Sequence, residues 1–216
     1  MQGIIDLSNF NNILDLQKRE KAMKTHNIPD NKKILSMSEL NELGFSAYMV
    51  RNMVAHGQLI KLNKFTYENA NYDGEESDYI YAYAYVPDGV ICLLSAAVIY
   101  GFSTYRPDSI DVAVTQKRNV STLPDWPSIK LWYFENTRLE TGVTAVEACN
   151  QNVKIYDMEK TVVDIVYYRN KVGIEETKEV LVNYLKRPER DINKLCRYAE
   201  ALRCKDIIDT YLEVLL

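Results

Sequence analysis

Within one short stretch, Ser36 to Tyr67, the chain carries two helix starts, two helix stops and a tight hairpin, and that spacing leaves few folds open. Ser36 and Glu39 stand three apart, where each side chain can satisfy the other's backbone N–H, so a helix is expected to start there and run through Leu40 and Leu43 to Gly44. Ser46 offers the next N-cap. From Ala47 to His56 the apolar residues Val50, Met53 and Val54 recur at helical spacing, and Gly57 supplies the stop. Gln58 to Leu62 and Phe65 to Tyr67 then flank Asn63-Lys64 as two short strands around a turn. Helix, turn, second helix and hairpin, in that order, predict a winged helix-turn-helix. In that fold the second helix reads a major groove and the hairpin meets the neighbouring backbone.

The placement of charge agrees with that pattern better than its sum does. Net charge is −4, which alone argues against a nucleic-acid partner. Residues 1–67, however, hold nine Lys/Arg against six Asp/Glu, and from Gly44 to Tyr67 there are Arg51, Lys61 and Lys64 with no acid. With Val50, Met53 and Val54 turned inward, Ser46, Ala47, Tyr48, Arg51, Asn52 and Ala55 are left on the outer side of the second helix. Arg can bond a guanine edge in bidentate fashion, Asn can pair with adenine, and Tyr can donate to a phosphate. Small Ala47 and Ala55 permit close approach. Lys61 and Lys64 fall in the hairpin, where an ammonium meets the DNA backbone as a point charge. The expected DNA-binding residues are therefore Ser46, Ala47, Tyr48, Arg51, Asn52, Lys61 and Lys64.

The fold expected of the whole chain is mixed α/β, with the winged helix-turn-helix first and a C-terminal α/β domain with a small sheet and a helical end. Residues 1–70 form the first domain, with an extra helix over Leu7 to His26. Residues 71–78, with Asp73, Glu75, Glu76 and Asp78 around Gly74, read as an acidic linker, and 79–216 form the second domain. From Tyr79 to Val86, tyrosines alternate with Ile80, Ala82, Ala84 and Val86, and this pattern suits strand and helix equally. Packing into a core is the expected role of those tyrosines. A short buried helix is expected over Ser95 to Tyr100, and strands at Ser109 to Val114, Ile129 to Phe134, Gly142 to Val146 and Val153 to Tyr156. Helices follow near Met158 to Arg169, Ile174 to Leu185, Asp191 to Leu202 and Lys205 to Leu216.

Two sets of residues carry a family resemblance. Ser36-Met37-Ser38-Glu39-Leu40, Gly44-Phe45-Ser46, Val54 to Lys61 and Phe65-Thr66-Tyr67 resemble the winged helix of the AbiEi antitoxin family. Pro87 to Ala96, Tyr100-Gly101, Asp111-Val112-Ala113-Val114 and Glu159-Lys160-Thr161-Val162-Val163-Asp164 are similar to that family's C-terminal domain. The hairpin departs from the family's basic-Gly-Val-Tyr pattern, since Asn63-Lys64-Phe65-Thr66-Tyr67 has no glycine. The resemblance implies an antitoxin of a type IV toxin–antitoxin, or abortive-infection, system. Such a protein represses its own operon by binding inverted repeats in double-stranded operator DNA, and counteracts a nucleotidyltransferase toxin without a stable direct complex. The reading left beside it is a winged-helix regulator with a ligand- or protein-binding second domain and no toxin partner.

Catalysis and cofactors are not expected. Pro107-Asp108 before a strand is half of a metal-dependent nuclease motif, but the E-x-K that would complete it, Glu176-Thr177-Lys178, falls in helical sequence. Lys160 and Asp164 stand i and i+4 on one helix and can pair, with Asp157 at the N-cap position. Cys92, Cys149, Cys196 and Cys204 show no C-x-x-C pair and only His26 and His56 accompany them, so buried thiols are expected rather than zinc ligands. The stretch Val90 to Phe102 is interrupted and short of the roughly 20 apolar residues of a spanning helix, and the first residues lack a signal-peptide pattern. A cytoplasmic protein with no membrane partner is the expectation.

Overall fold

The computed structural model describes residues 27–105 and 107–215. The helix expected over Leu7 to His26 lies outside them. The first part runs β1 (Ile34–Ser36), α1 (Met37–Glu42), α2 (Ala47–Ala55), β2 (Leu59–Lys61) and β3 (Thr66–Asn69). Its strands form an antiparallel sheet in the order β1-β3-β2. The Ser36 hydroxyl accepts from Glu39 N at 3.2 Å while Glu39 Oε2 accepts from Ser36 N at 2.7 Å, the reciprocal cap that starts α1. Gly44 and Gly57 end α1 and α2 with φ of 92° and 71°, backbone that a side chain disfavours. Leu35, Leu40, Phe45, Val50, Leu59 and Tyr67 close a small core beneath the two helices.

The remainder runs α3 (Ile80–Tyr85), β4 (Val90–Ile91), α4 (Leu93–Ile99), β5 (Ile110–Thr115), β6 (Ile129–Phe134), α5 (Asn136–Glu140), β7 (Val143–Ala148), β8 (Gln151–Tyr156), α6 (Met158–Tyr167), α7 (Arg169–Val172), α8 (Ile174–Leu185), α9 (Ile192–Ala201) and α10 (Lys205–Leu215). The five-stranded sheet is mixed, in the order β6-β5-β4-β8-β7. Its strands pleat, so alternate side chains serve opposite faces. Ile110, Val112 and Val114 of β5, with Ile129 of β6 and Val153 and Ile155 of β8, pack toward α3. Trp132 and Phe134 of β6 and Tyr156 of β8 pack toward α4, α6 and α8 to α10, where Val162, Val166, Leu181 and Leu195 fill the larger core. The fold is thus mixed α/β.

The tyrosine row from Tyr79 to Tyr85 is helical. Ile80, Ala82 and Ala84 are buried and the tyrosines half-buried against the sheet, with Tyr81 Oη donating to Glu68 at 3.2 Å. Sequence periodicity did not separate α3 from a strand, because every second residue is apolar and the intervening tyrosines are amphipathic. β1, β4, α5 and α7 were not expected at all; each is too short to show a period.

The two parts are joined through β1, whose successive residues serve different cores. Leu35 lies in the core under α1 and α2, whereas Ile34 lies in the core between α3 and the large sheet. Gln151 at the start of β8 clasps Ile34 on both sides. Its Oε1 accepts from Ile34 N at 2.7 Å and its Nε2 donates to Ile34 O at 3.0 Å. Buried Lys33 pairs with Glu76 in the acidic segment and with Glu68 on β3. The clasp and this pair tie β1 and β3 to the acidic segment and to β8.

Candidate nucleic-acid interface

Helix α2 starts at Ser46, whose hydroxyl accepts from Met49 N at 3.3 Å. Val50 is buried and Met53 and Val54 half-buried against the small core, so the opposite side of the helix is turned to solvent. That side carries Ala47, Tyr48, Arg51, Asn52 and Ala55, all exposed, with Tyr48 68% accessible. Arg51 Nε reaches back to the Ala47 carbonyl at 3.3 Å, which lays the side chain along the helix and leaves its terminal nitrogens outward. The Asn52 carbonyl receives His56 N and the His56 ring, so the last turn is closed locally and the Asn52 amide keeps its hydrogen-bonding capacity. Asn52 also borders a cleft of about 360 Å³ with Met49, Gln58 and Asn69.

The hairpin has a tip without glycine because Asn63 supplies the turn. Its Oδ1 accepts from Phe65 N at 2.9 Å and Thr66 N at 3.1 Å, and its Nδ2 donates to Ala84 O of α3 at 2.9 Å. Thr66 Oγ1 donates to the same carbonyl at 3.0 Å. Lys61 and Lys64 are exposed on this braced hairpin, and Lys64 Nζ lies 5.3 Å from the ring centre of Phe65, which is 64% accessible. Among the described residues, Arg51, Lys61 and Lys64 form no ion pair with any carboxylate. All seven residues expected from sequence therefore lie exposed on α2, its cap and the hairpin. Phe65 at the tip was not singled out, since an aromatic in a short strand reads as core.

The charged blocks of the second part have the opposite character. Asp164 is fully buried on α6 and receives Arg138 Nη1 of α5 at 2.6 Å and Lys160 Nζ one turn earlier. Arg138 also donates to Leu202 O at 3.0 Å, tying α5 and α6 to the end of α9. Lys160 Nζ lies 3.9 Å from the ring centre of Tyr156, and Arg138 stacks at 3.9 Å on Tyr167. Burial pushes the Asp164 carboxyl above its usual range and the Lys160 ammonium below its own. Glu159 accepts from Tyr184 Oη at 3.1 Å and from Asp191 N at 3.2 Å, and Asp157 caps α6 by accepting from Lys160 N at 2.9 Å. Asp111 is buried too, accepting from Trp132 Nε1 at 2.8 Å.

Asp108 lies in a surface cleft with Glu76, Asp78 and exposed Trp126, while Lys178 is engaged by Glu175 on the outside of α8. Half-motif and E-x-K are not brought together on adjacent strands. Among the described residues no group of three His, Cys, Asp or Glu side chains is arranged to hold a metal ion. Cys92, Cys149 and Cys204 are buried and all four cysteines are free thiols. No described helix is long and apolar enough to cross a membrane.

No protein-family model matches the chain, and no curated protein matches it. Among solved structures the chain is similar to the crystal structure of the RV2827C protein from Mycobacterium tuberculosis, with a TM-score of 0.50 and 15% sequence identity over 82% of this chain and 73% of that one. At that identity the likeness is one of fold.

Proposed function

We propose that the chain is a winged helix-turn-helix repressor that binds duplex DNA through the outer side of α2 and the hairpin. The observation that carries this reading is the set of exposed, ion-pair-free Arg51, Lys61 and Lys64 on two adjacent elements, beside exposed Tyr48 and Asn52. Arg51 and Asn52 read base edges in the major groove, Ser46 and Tyr48 donate to phosphate, and small Ala47 lets the helix approach. Lys61 and Lys64 neutralise backbone charge alongside. The target is operator DNA upstream of the chain's own gene. On the resemblance of the Pro87 to Ala96 and Glu159 to Asp164 blocks to AbiEi antitoxins, the second part neutralises a nucleotidyltransferase toxin encoded beside it. No catalytic step is assigned to the chain, and its place of work is the cytoplasm.

The reading is tested by separating the two roles. With the protein supplied from a foreign promoter beside the neighbouring toxin gene, Lys61→Ala with Lys64→Ala abolishes repression of an operator reporter, and cells survive. Purified, the same variant binds all duplexes more weakly, and its salt slope is shallower by about two. Unchanged operator binding by the folded variant refutes the interface; loss of protection at normal protein level refutes the division of roles.

A further inference from the structure

The hairpin tip does not stand alone. A cleft of about 330 Å³ has Asn63 to Thr66 on one side and Arg118 to Thr122, the loop after β5, on the other. Arg118 holds its place through its backbone, donating to Thr115 O at 2.9 Å. The Nε–H of Arg118 is buried and finds no hydrogen-bond partner among the described residues. A buried donor without a partner is costly, so a turn of the half-exposed guanidinium toward an acceptor in the adjoining cleft is favourable. Among the described residues the carboxylate that meets the guanidinium is Asp88, at 3.4 Å from Nη2, and it is 75% exposed, so that pair is weak. Lys117 and Asn119 flank Arg118 and are exposed, as are Ser121 and Thr122. The cleft is thus basic at Lys64 and Arg118, with Asn63, Asn119, Ser121 and Thr122 offering amide and hydroxyl donors. Phe65, Tyr85 and Pro87 form an apolar wall beside them, and the polar part suits phosphate oxygens.

We infer that this cleft seats the phosphate backbone of the DNA gripped by the hairpin, so that residues 117–122 of the second part belong to the DNA-binding surface. The inference rests on the DNA-binding reading and adds to it a contact made outside the helix-hairpin unit. Successive phosphates of one strand follow every nucleotide, about 3.4 Å apart along the axis, and Lys64 and Arg118 line one cleft, so a strand held by Lys64 can offer a further phosphate to Arg118. Arg118 is suited to that neighbour because a guanidinium presents its donors as a fixed fork, two of them directed at one phosphate. The brace from Asn63 and Thr66 to Ala84 holds the tip against α3, whose Ala84 and Tyr85 form the floor of the same cleft.

The test is a titration of full-length protein against a mixed-sequence duplex and against the DNA upstream of its gene, at several salt concentrations, with thermal unfolding of each variant as the check on folding. Arg118→Ala is expected to weaken binding to both duplexes alike, by roughly fivefold, and to make the salt slope shallower by about one. Arg118→Lys keeps the charge and so most of the slope, while losing part of the affinity that depends on the fork. Asp88→Asn, which removes the competing carboxylate, is expected to tighten binding to both. Arg118→Ala that folds and binds with unchanged affinity and slope overturns this inference while the α2 and hairpin reading stands, provided Arg51→Ala still loses discrimination. Wild-type protein that binds neither duplex overturns both.

Discussion

The chain holds two groups of basic residues that look alike in sequence and are opposite in the fold. Arg51, Lys61 and Lys64 lie open on α2 and the hairpin with no carboxylate partner among the described residues, whereas Arg138 and Lys160 are enclosed around Asp164 beside Phe134, Tyr156 and Tyr167. A buried charge is tolerated only when paired, because desolvation costs several kcal/mol per ion, and one sealed in the interior is out of reach of a partner in solution. An exposed charge costs little and contributes little until a partner arrives. The contrast teaches where to look for function. The open cations are the ones the proposed function assigns to DNA, and the closed ones hold α5, α6 and α9 together.

The largest expected effect breaks the closed group. Asp164→Ala strands two cations in the interior and should cost about 3–5 kcal/mol of stability in urea unfolding, while Arg51→Ala should stay within about 0.5 kcal/mol of wild type. Lys160→Met should cost less than Asp164→Ala, since Arg138 still meets the carboxylate. Equal losses at Asp164 and Arg51 would erase the distinction between the groups.

Next comes the joint between the parts. Gln151→Ala leaves the Ile34 N–H and C=O without their buried partners and should cost about 1–3 kcal/mol. Hydrogen exchange should report it first at Ile34 and Leu35, whereas the amides of α6 keep their protection. Exchange that rises uniformly along the chain would show that the clasp is not local to this joint.

A smaller loss is expected at the cap of α2, where Ser46→Ala removes an acceptor from Met49 N and should cost about 1 kcal/mol, the usual worth of such a cap. The smallest effect concerns pH. Glu179 accepts from the Ser103 hydroxyl at 2.7 Å and from Thr104, and these bonds hold its carboxyl below the usual glutamate range. A carboxylate with a depressed pKa contributes stability above its unfolded value and loses it as pH falls through the folded one. Thermal unfolding between about pH 3 and 6 should therefore show a gentler acid limb for Glu179→Gln than for wild type. Parallel limbs would remove Glu179 from the account.

Much of the candidate interface was legible because its signals are local. The Ser36–Glu39 cap, Gly44, Ser46 and Gly57 each act within one helical turn, so their order along the chain reports the elements directly. The same holds for α6, α8, α9 and α10, whose apolar period and caps at Asp157 and Asp191 lie in adjacent residues. What the sequence hid is long-range. Arg138 meets a carboxylate 26 positions away, and Gln151 clasps a backbone 117 positions away. Strand β1 has three residues and becomes a strand only because β3 lies beside it. Arg118 and Lys64, far apart in sequence, come to line one cleft only in the folded chain.

The central claim, that Arg51 on the open side of α2 meets base edges, is met most directly by comparing wild type and Arg51→Ala on upstream DNA and on random duplex at one salt concentration. Loss of about 1–3 kcal/mol on upstream DNA, with random-duplex affinity changed far less, is the predicted result. A folded Arg51→Ala protein that still prefers upstream DNA as strongly as wild type would contradict it.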